Sequence, residues 1–222
     1  MWDRVRNGDA TTVVGARGIP LGEISARLDA GGGLADEARA LGLDAADLIA
    51  ALGAIALEGD GPALAQESPR RPHYLAVLAE SVWAELLPGA ARPARLALAA
   101  GLLQIFDFWD ASHAAAQEAD DLGEGWVSAY WHGVAHRREP DPGNASYWFR
   151  KVGPHPVCGP IAVQARGLVD DEGLAAKLFA GGVWQPEAFN DFCTKARRED
   201  DGLAKALQKV EMMALLEASL PR

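Results

Sequence analysis

The sequence predicts a mainly α-helical protein, made of a small N-terminal helix-turn-helix module and a larger all-helical domain. Apolar residues recur at helical spacing from residue 73 onward, and no window there shows the alternation of a half-buried strand. Before that, short helical patterns joined by a tight glycine turn are typical of a helix-turn-helix. At 222 residues the chain is long enough for one well-buried domain plus a small module.

The N-terminal module is expected over residues 1–57. Its pattern predicts a short strand followed by three helices, in chain order Thr11–Gly15, Ile19–Leu28, Leu34–Leu41 and residue 44 to about Leu57. Pro20 fits the first turn of the first helix, and Gly42 fits the end of the second. Asp44 is the expected N-cap of the third helix.

Residues 58–72 are expected to be a linker, because two glycines and three prolines interrupt every periodic pattern there. Residues 73–222 then form the larger domain. Its expected helices are Tyr74–Leu87, Pro93 to about Asp121, Trp126–Arg138, Asn144–Val152, Leu174–Ala180, Pro186–Arg197 and Leu203–Leu220.

The segment Val14-Gly-Ala-Arg-Gly-Ile-Pro-Leu-Gly-Glu-Ile24, with the helix pair behind it, resembles a small bacterial antitoxin-like domain of unknown function. In that family a Gly-Thr-Arg-[Ile/Val]-Pro-Val-like entry precedes a homeodomain-like core of three helices. Here Ala16 replaces the threonine and Gly18 is inserted. The resemblance covers roughly a quarter of the chain and implies binding of DNA or of a toxin partner.

The residues of the module argue against DNA. The would-be recognition helix, Asp44-Ala-Ala-Asp-Leu-Ile-Ala-Ala-Leu-Gly-Ala54, offers no Arg, Lys, Asn or Gln to a base edge. Residues 1–60 hold five Arg against ten acids, and the whole chain carries a net charge of −10. We therefore expect no specific nucleic-acid binding. The module is expected to serve in packing or in dimerisation, and in the second case the protein is a homodimer through this module.

A functional site is predicted between Asp107 and His155. Four of the five histidines and four of the seven tryptophans fall in this stretch. Buried polar groups persist only where they are hydrogen-bonded, paired or bound to a ligand. A packed core alone does not require this many of them.

On the long predicted helix, one stripe of polar residues continues an apolar stripe. Its polar members are Asp110, His113, Gln117 and Asp121, and its apolar members are Leu103 and Phe106. A polar stripe that extends a core stripe is expected at the mouth of a pocket. The alternative is a solvated face that happens to contain one histidine.

On the next helix, His132 and His136 are four residues apart and share a face, with Glu139 three residues further on. This spacing can chelate a divalent metal, and Asp110 or His113 from the neighbouring helix could complete the ligand shell. The possible cofactor is therefore a divalent metal.

The hydrolytic zincin motif is absent, because the residue after the first histidine is Gly133 and not the glutamate that serves there as general base. The alternative to a metal site is structural. Gly133 would then let another helix approach closely while each histidine hydrogen-bonds within that interface.

The stretch from Tyr130 to His155 is locally positive. Its cations Arg137, Arg138, Arg150 and Lys151 face only the acids Glu139 and Asp141. With Trp and Tyr as stacking walls, such a patch suits an anionic or carboxylate ligand. The equal alternative is that the Arg residues pair with the acids of the long helix in interhelical salt bridges.

The loop after Pro140 leads into a helix that Asp141 or Asn144 can cap. Tyr147, Trp148 and Phe149 follow in succession, so they cannot all face inward. The run His136-Arg-Arg-Glu-Pro-Asp, Asn144-Ala, Tyr147-Trp-Phe-Arg, Val152-Gly and His155-Pro resembles a stretch in uncharacterised bacterial and fungal proteins, which implies no particular chemistry.

The predicted function is that of a small-molecule-binding protein, an enzyme that uses a His/Asp/Arg pocket between helices on a polar or anionic substrate. The alternative is a non-catalytic regulatory or interaction protein with a ligand-sensing pocket. The expected catalytic residues are His113, His132, His136 and Asp110, the three histidines also being the metal candidates. The expected ligand-binding residues are Gln117, Trp131, Arg137, Glu139, Asn144, Tyr147, Trp148, Arg150 and His155.

Location and redox state are expected to be those of a soluble cytoplasmic protein without membrane contact. The first residues contain no apolar signal region, and the longest apolar run, Ala94–Phe106, is too short to span a bilayer. Cys158 and Cys193 are too few to indicate a disulfide framework or a zinc site.

Overall fold

The computed structural model describes residues 21–59, 61–196 and 202–221. Within these ranges it contains thirteen α-helices and no strand, which confirms the all-helical fold. The strand expected at Thr11–Gly15 and most of the antitoxin-like entry lie outside the described residues. Of the described helices, none has both the length and the apolar character that a membrane crossing requires.

The helices are, in chain order, α1 (Leu21–Asp29), α2 (Leu34–Leu41), α3 (Ala45–Ala56), α4 (Tyr74–Val77), α5 (Glu80–Leu86), α6 (Arg92–Ile105), α7 (Trp109–Asp121), α8 (Val127–Arg138), α9 (Pro142–Val152), α10 (Cys158–Ala165), α11 (Glu172–Leu178), α12 (Pro186–Ala196) and α13 (Gly202–Ala218).

The ends of the N-terminal helices follow the predicted signals. Gly42 adopts the left-handed conformation after α2, with φ 65°, and its backbone N–H donates to the carbonyls of Ala38 and Arg39. Asp44 caps α3 in a reciprocal capping box with Asp47. The predicted caps at both residues are therefore confirmed.

Helix α3 is buried on most of its surface, since its residues from Leu48 to Ile55 are all buried. It packs against α1, α6 and α13. A recognition helix must present one face to a DNA groove. This burial therefore supports the expectation of no specific DNA binding, which stays a prediction.

The long helix expected from Pro93 to Asp121 is wrong. The chain leaves the helix after Ile105 and resumes at Trp109, and Asp107 has φ 66°, which a non-glycine residue rarely adopts. Phe106 and Phe108 are both buried on either side of it. The break lets α6 and α7 pack against each other as a helical hairpin.

Two further differences concern helix boundaries. The single helix expected over Tyr74–Leu87 is wrong, because Ala79 is extended, with φ −62° and ψ 148°, and divides it into α4 and α5. Helix α10 was not predicted at all. Its first turn contains Pro160, and prolines before it break the apolar periodicity that would have revealed it.

The described part of the predicted linker packs on the helices. Leu64 is buried, and the Gln66 amide donates to the carbonyl of Arg138 on α8. Gln208 of α13 donates to the carbonyls of Pro62 and Ala63. One apolar core runs from α1 to α13. The division into residues 1–57 and 73–222 stays a prediction.

A buried polar network ties α13 to the rest of the domain. The Glu211 carboxylate accepts hydrogen bonds from Tyr130 Oη at 2.9 Å, from Trp184 Nε1 at 3.1 Å and from the Arg137 guanidinium at 2.5 Å. All four side chains are inaccessible to solvent. The network fixes α8 in the middle of the fold.

Candidate functional site

Helix α8 carries the site and is held on two sides by close packing. At Gly133 a Cβ would lie 2.6 Å from the ring of Phe149 on α9. At Gly101 on α6 a Cβ would lie 2.5 Å from the indole of Trp131 on α8. Both glycines therefore allow a neighbouring aromatic ring to touch the helix backbone. The close approach predicted at Gly133 is confirmed.

Three histidines meet where α7 packs on α8, and we call them the histidine cluster: His113, His132 and His136. The Nε2 atoms of His113 and His132 are 2.9 Å apart. The His113 and His136 ring centroids are 5.0 Å apart, and one ring nitrogen from each of the three histidines lies within 4.8 Å of the others. The expected meeting of His113 with the α8 pair is confirmed.

Two tryptophans form the walls of the histidine cluster. Trp148 of α9 stacks on His132 with ring centroids 3.8 Å apart and an interplanar angle of 13°. Trp109 stacks on His113 at 5.0 Å, and its Nε1 donates to the carbonyl of Ala135 on α8. These contacts restrict the rotation of both imidazoles.

Two polar side chains orient His136. Glu139 Oε2 lies 2.8 Å from its Nδ1, and Asn144 Nδ2 lies 3.1 Å from its Nε2. Asn144 is positioned by the capped start of α9, where Asp141 accepts from its backbone amide. A carboxylate behind a histidine fixes the ring and its tautomer, as it does in many metal sites.

Burial keeps His113 and His132 neutral. Burial first, and then the nearby His113 and His136, lower the pKa of His132 to about 3. Burial also lowers the pKa of His113, and His136 adds to this effect. At neutral pH both rings are therefore uncharged, so a single proton lies between their Nε2 atoms and lone pairs are available.

One ring nitrogen of the histidine cluster is not accounted for by the hydrogen bonds of the described residues. His132 Nδ1 is buried and has no hydrogen-bond partner among the described residues. His132 itself is 1% exposed. A buried ring nitrogen without a partner costs free energy, so this arrangement is not explained by hydrogen bonding within an interface alone.

The cluster opens to solvent on one side. His113 is half-buried, Glu139 has 36% of its side chain exposed, and Asp110 on the first turn of α7 is exposed. Asp110 acts on the cluster electrostatically, because its charge favours the protonated form of His113. Four cavities in the described part of the protein are lined by other residues and by none of the three histidines.

Several predicted ligand residues lie elsewhere. Trp131 is in the core, where its Nε1 donates to Ser219 Oγ. Arg137 is fully buried against Glu211. Gln117 bonds to Asp121 along α7, and Tyr147 is 55% exposed.

The predicted cationic patch is made of ion pairs. The pairs are Arg137–Glu211, Arg138–Asp107, Arg150–Glu187 and Lys151–Asp120. Arg138 also donates to the carbonyls of Ala63 and Gln104, so it holds the turn between α6 and α7. All four cations are therefore in salt bridges, but only Asp107 and Asp120 belong to the segment expected as the long helix. The other two partners, Glu187 and Glu211, lie on α12 and α13.

His155 lies apart from the cluster. Its ring contacts Trp126 at 4.9 Å and Tyr130 at 5.8 Å, and its Nδ1 accepts from the Val157 amide. Trp109, in contrast, forms a wall of the histidine cluster and was not predicted as a site residue. Its spacing of four residues before His113 was the signal that could have revealed it.

No protein-family model, no curated protein and no solved structure matches this chain.

Proposed function

We propose that the protein binds a divalent transition-metal ion through His113, His132 and His136, and uses that ion to bind and act on a small polar or anionic molecule. The observation that supports this most is the contact between two neutral imidazoles through their Nε2 atoms, 2.9 Å apart, with a third histidine beside them. Neutral imidazole is the form that ligates metals.

The spacing suits a small ion. Around a tetrahedral ion with bonds of about 2.05 Å, ligand nitrogens lie about 3.3 Å apart. His113 and His132 are already slightly closer than this. Small rotations of the side chains would bring His136, now within 4.8 Å, to the same distance. Three nitrogen ligands also favour zinc, cobalt, nickel or copper over magnesium or calcium.

The open side of the cluster supports a reactive and not a purely structural site. Three protein ligands leave one coordination position of the metal free. A water bound at that position would have a lowered pKa. Glu139 would keep the proton on His136 Nδ1, and the two indoles would exclude water from the other faces. Asp110 lies at the exposed rim, where it would orient a donor group of the ligand.

A second candidate is a regulatory protein that senses the metal without turnover. It is favoured by the four cavities described above, none of which is lined by the cluster, because enzymes of small substrates usually have a preformed pocket at the reacting groups. In this case metal binding would change stability or association, and no metal-dependent turnover would be found.

The test is titration of chelator-treated protein with Zn²⁺ by calorimetry and with Co²⁺ by visible spectroscopy. We expect about one ion per chain and the spectrum of tetrahedral Co²⁺. His113→Ala and His136→Ala should each weaken binding by about 100-fold or more, since each removes a ligand.

His73→Ala is the matched control. His73 is an exposed histidine that contacts Asp29 at 3.0 Å, far along the chain from the cluster, and its loss should leave the affinity unchanged. Substoichiometric binding, or equal affinities in all three variants, would reject the metal site. Hydrolysis assays on simple esters and phosphoesters with the loaded protein then separate the enzyme from the sensor.

A further inference from the structure

A second polar site lies outside the histidine cluster. A solvent-open cavity of about 410 Å³ lies between the end of α9, the start of α10 and the turn before α12. Phe149, Trp184 and Val183 give it apolar walls, and His155 and Arg150 are among its polar lining residues. Its volume is in the range of small-molecule sites.

His155 lines this cavity and carries one hydrogen-bond donor without a partner among the described residues. Its Nδ1 accepts from the Val157 amide at 3.1 Å, and a backbone N–H can only donate, so Nδ1 carries a lone pair. The ring proton must therefore be on Nε2. That atom is buried and has no partner among the described residues, in a side chain that is 6% exposed. Such a donor is costly unless a ligand accepts from it.

Arg150 supplies a second set of donors at the rim. One of its nitrogens bonds to Glu187 at 3.0 Å, and the two side chains are 60% and 48% exposed. An exposed ion pair of this kind contributes little to stability, so a ligand can take over the guanidinium at little cost. A guanidinium has five N–H donors in a fixed fork that matches a carboxylate.

We propose that this cavity binds a small monocarboxylate with an apolar body. The carboxylate oxygens accept from His155 Nε2 and Arg150, and the body lies against Phe149 and Trp184. Cys158 also lines the cavity, but the proposed binding does not use its thiol. Burial raises the pKa of the Cys158 thiol to about 11, so the nucleophilic thiolate is scarce.

Calorimetry and ligand-observed NMR on the full chain test the proposal, with benzoate as the probe and benzamide as its uncharged analogue. We expect benzoate to bind and benzamide to bind at least about tenfold more weakly, because the amide cannot form a charged pair with Arg150. Arg150→Met and His155→Phe should each weaken benzoate binding by about tenfold.

The matched control is Arg166→Met. Arg166 is also an exposed arginine in an ion pair, with Glu172 at 2.9 Å, and it does not line the cavity. Its replacement should leave benzoate affinity unchanged. Arg150→Met keeps the test valid if His155→Phe fails to fold, since Arg150 is on the surface.

Absence of benzoate binding to the unmodified protein would overturn the proposal. So would equal binding of benzoate and benzamide, or an equal loss in Arg150→Met and Arg166→Met. The result is independent of the metal site, because His113→Ala should bind benzoate normally.

Discussion

At the scale of single residues, Glu139 links the histidine cluster to solvent. Its carboxylate is 2.8 Å from His136 Nδ1, and in the described part of the chain no other carboxylate is hydrogen-bonded to an imidazole of the cluster. A carboxylate in this position raises the basicity of the other ring nitrogen. Replacing Glu139 therefore tests whether His136 is a metal ligand or only a packed histidine.

Glu139→Gln should weaken Zn²⁺ binding by about tenfold, near the lower end of the range for such partners, because the amide still accepts a hydrogen bond but lacks the charge. Calorimetric titration of the chelator-treated variant measures this. Glu118→Gln is the control, since Glu118 is an exposed acid of α7 paired with Arg92. An unchanged affinity in Glu139→Gln would count against metal ligation by His136.

The stability of the metal-free protein should fall in acid because of His132. The pKa of this histidine is about 3 in the folded protein, against about 6.5 when unfolded, so the unfolded chain binds more protons between these values. Above pH 6.5 the His132 ring is neutral in both states and does not lower the free energy of unfolding. As the pH falls from 6.5 toward 3, this group lowers the free energy of unfolding by at most about 1.4 kcal/mol per pH unit.

Urea unfolding from pH 7 to pH 4 tests this in the presence of a chelator. His132→Phe keeps an aromatic ring against Trp148 and cannot be protonated, so its stability should depend less steeply on pH. Carboxylates contribute equally to both proteins, and the difference between the two curves isolates His132. Parallel curves would show that His132 titrates normally.

At the scale of elements, the position of α9 on α8 depends on one missing methyl group. Gly133 faces the Phe149 ring so closely that a Cβ would lie 2.6 Å from it. Since Asn144 and Trp148 of α9 both contact the cluster, the separation of the two helices sets its shape.

Gly133→Ala should destabilise the protein by about 1–3 kcal/mol, because the ring or the helix must move away, and this exceeds the gain in helix propensity. Thermal and denaturant unfolding measure the loss. Gly159→Ala on α10 is the control, since a Cβ there meets nothing within 4 Å and should be neutral or stabilise by up to about 1 kcal/mol. Equal effects of the two would refute the packing argument.

At the scale of the whole molecule, the buried Glu211 network joins α13 to α8 and to Trp184 in the turn before α12. Its members come from positions up to 81 residues apart, as in the Tyr130–Glu211 hydrogen bond. The carboxylate accepts from three donors at once, and burial together with the Glu211 charge raises the pKa of Tyr130 well above its usual value.

Glu211→Gln should cost about 3–5 kcal/mol of stability, because it removes a charged partner of the buried Arg137 guanidinium and turns an amide N–H toward donors. Glu217→Gln, an exposed residue of the same helix, should change stability by less than about 0.5 kcal/mol. Denaturant unfolding of both variants decides the matter. A small loss in Glu211→Gln would mean that the network contributes little to stability.

What the sequence determined by itself is local in origin. The helical class, the bounds of α2, the cap of α3 at Asp44 and the shared face of His132 and His136 all follow from periodicity and turn chemistry over a few residues. The concentration of histidines and tryptophans also marked the right region of the chain, and His113 was expected beside the α8 pair.

Only the tertiary structure decided which long-range partner each polar residue has. The break at Asp107 is held by Arg138, 31 residues away, and no local signal announces it. Arg137 and His155 lie in the same polar segment of the sequence as the cluster. In the structure, however, Arg137 pairs with Glu211, and His155 accepts from the Val157 amide just before α10. Helical periodicity gives the face on which a side chain lies. The packing of whole helices selects what that face meets, because burial and charge pairing act between residues distant in sequence.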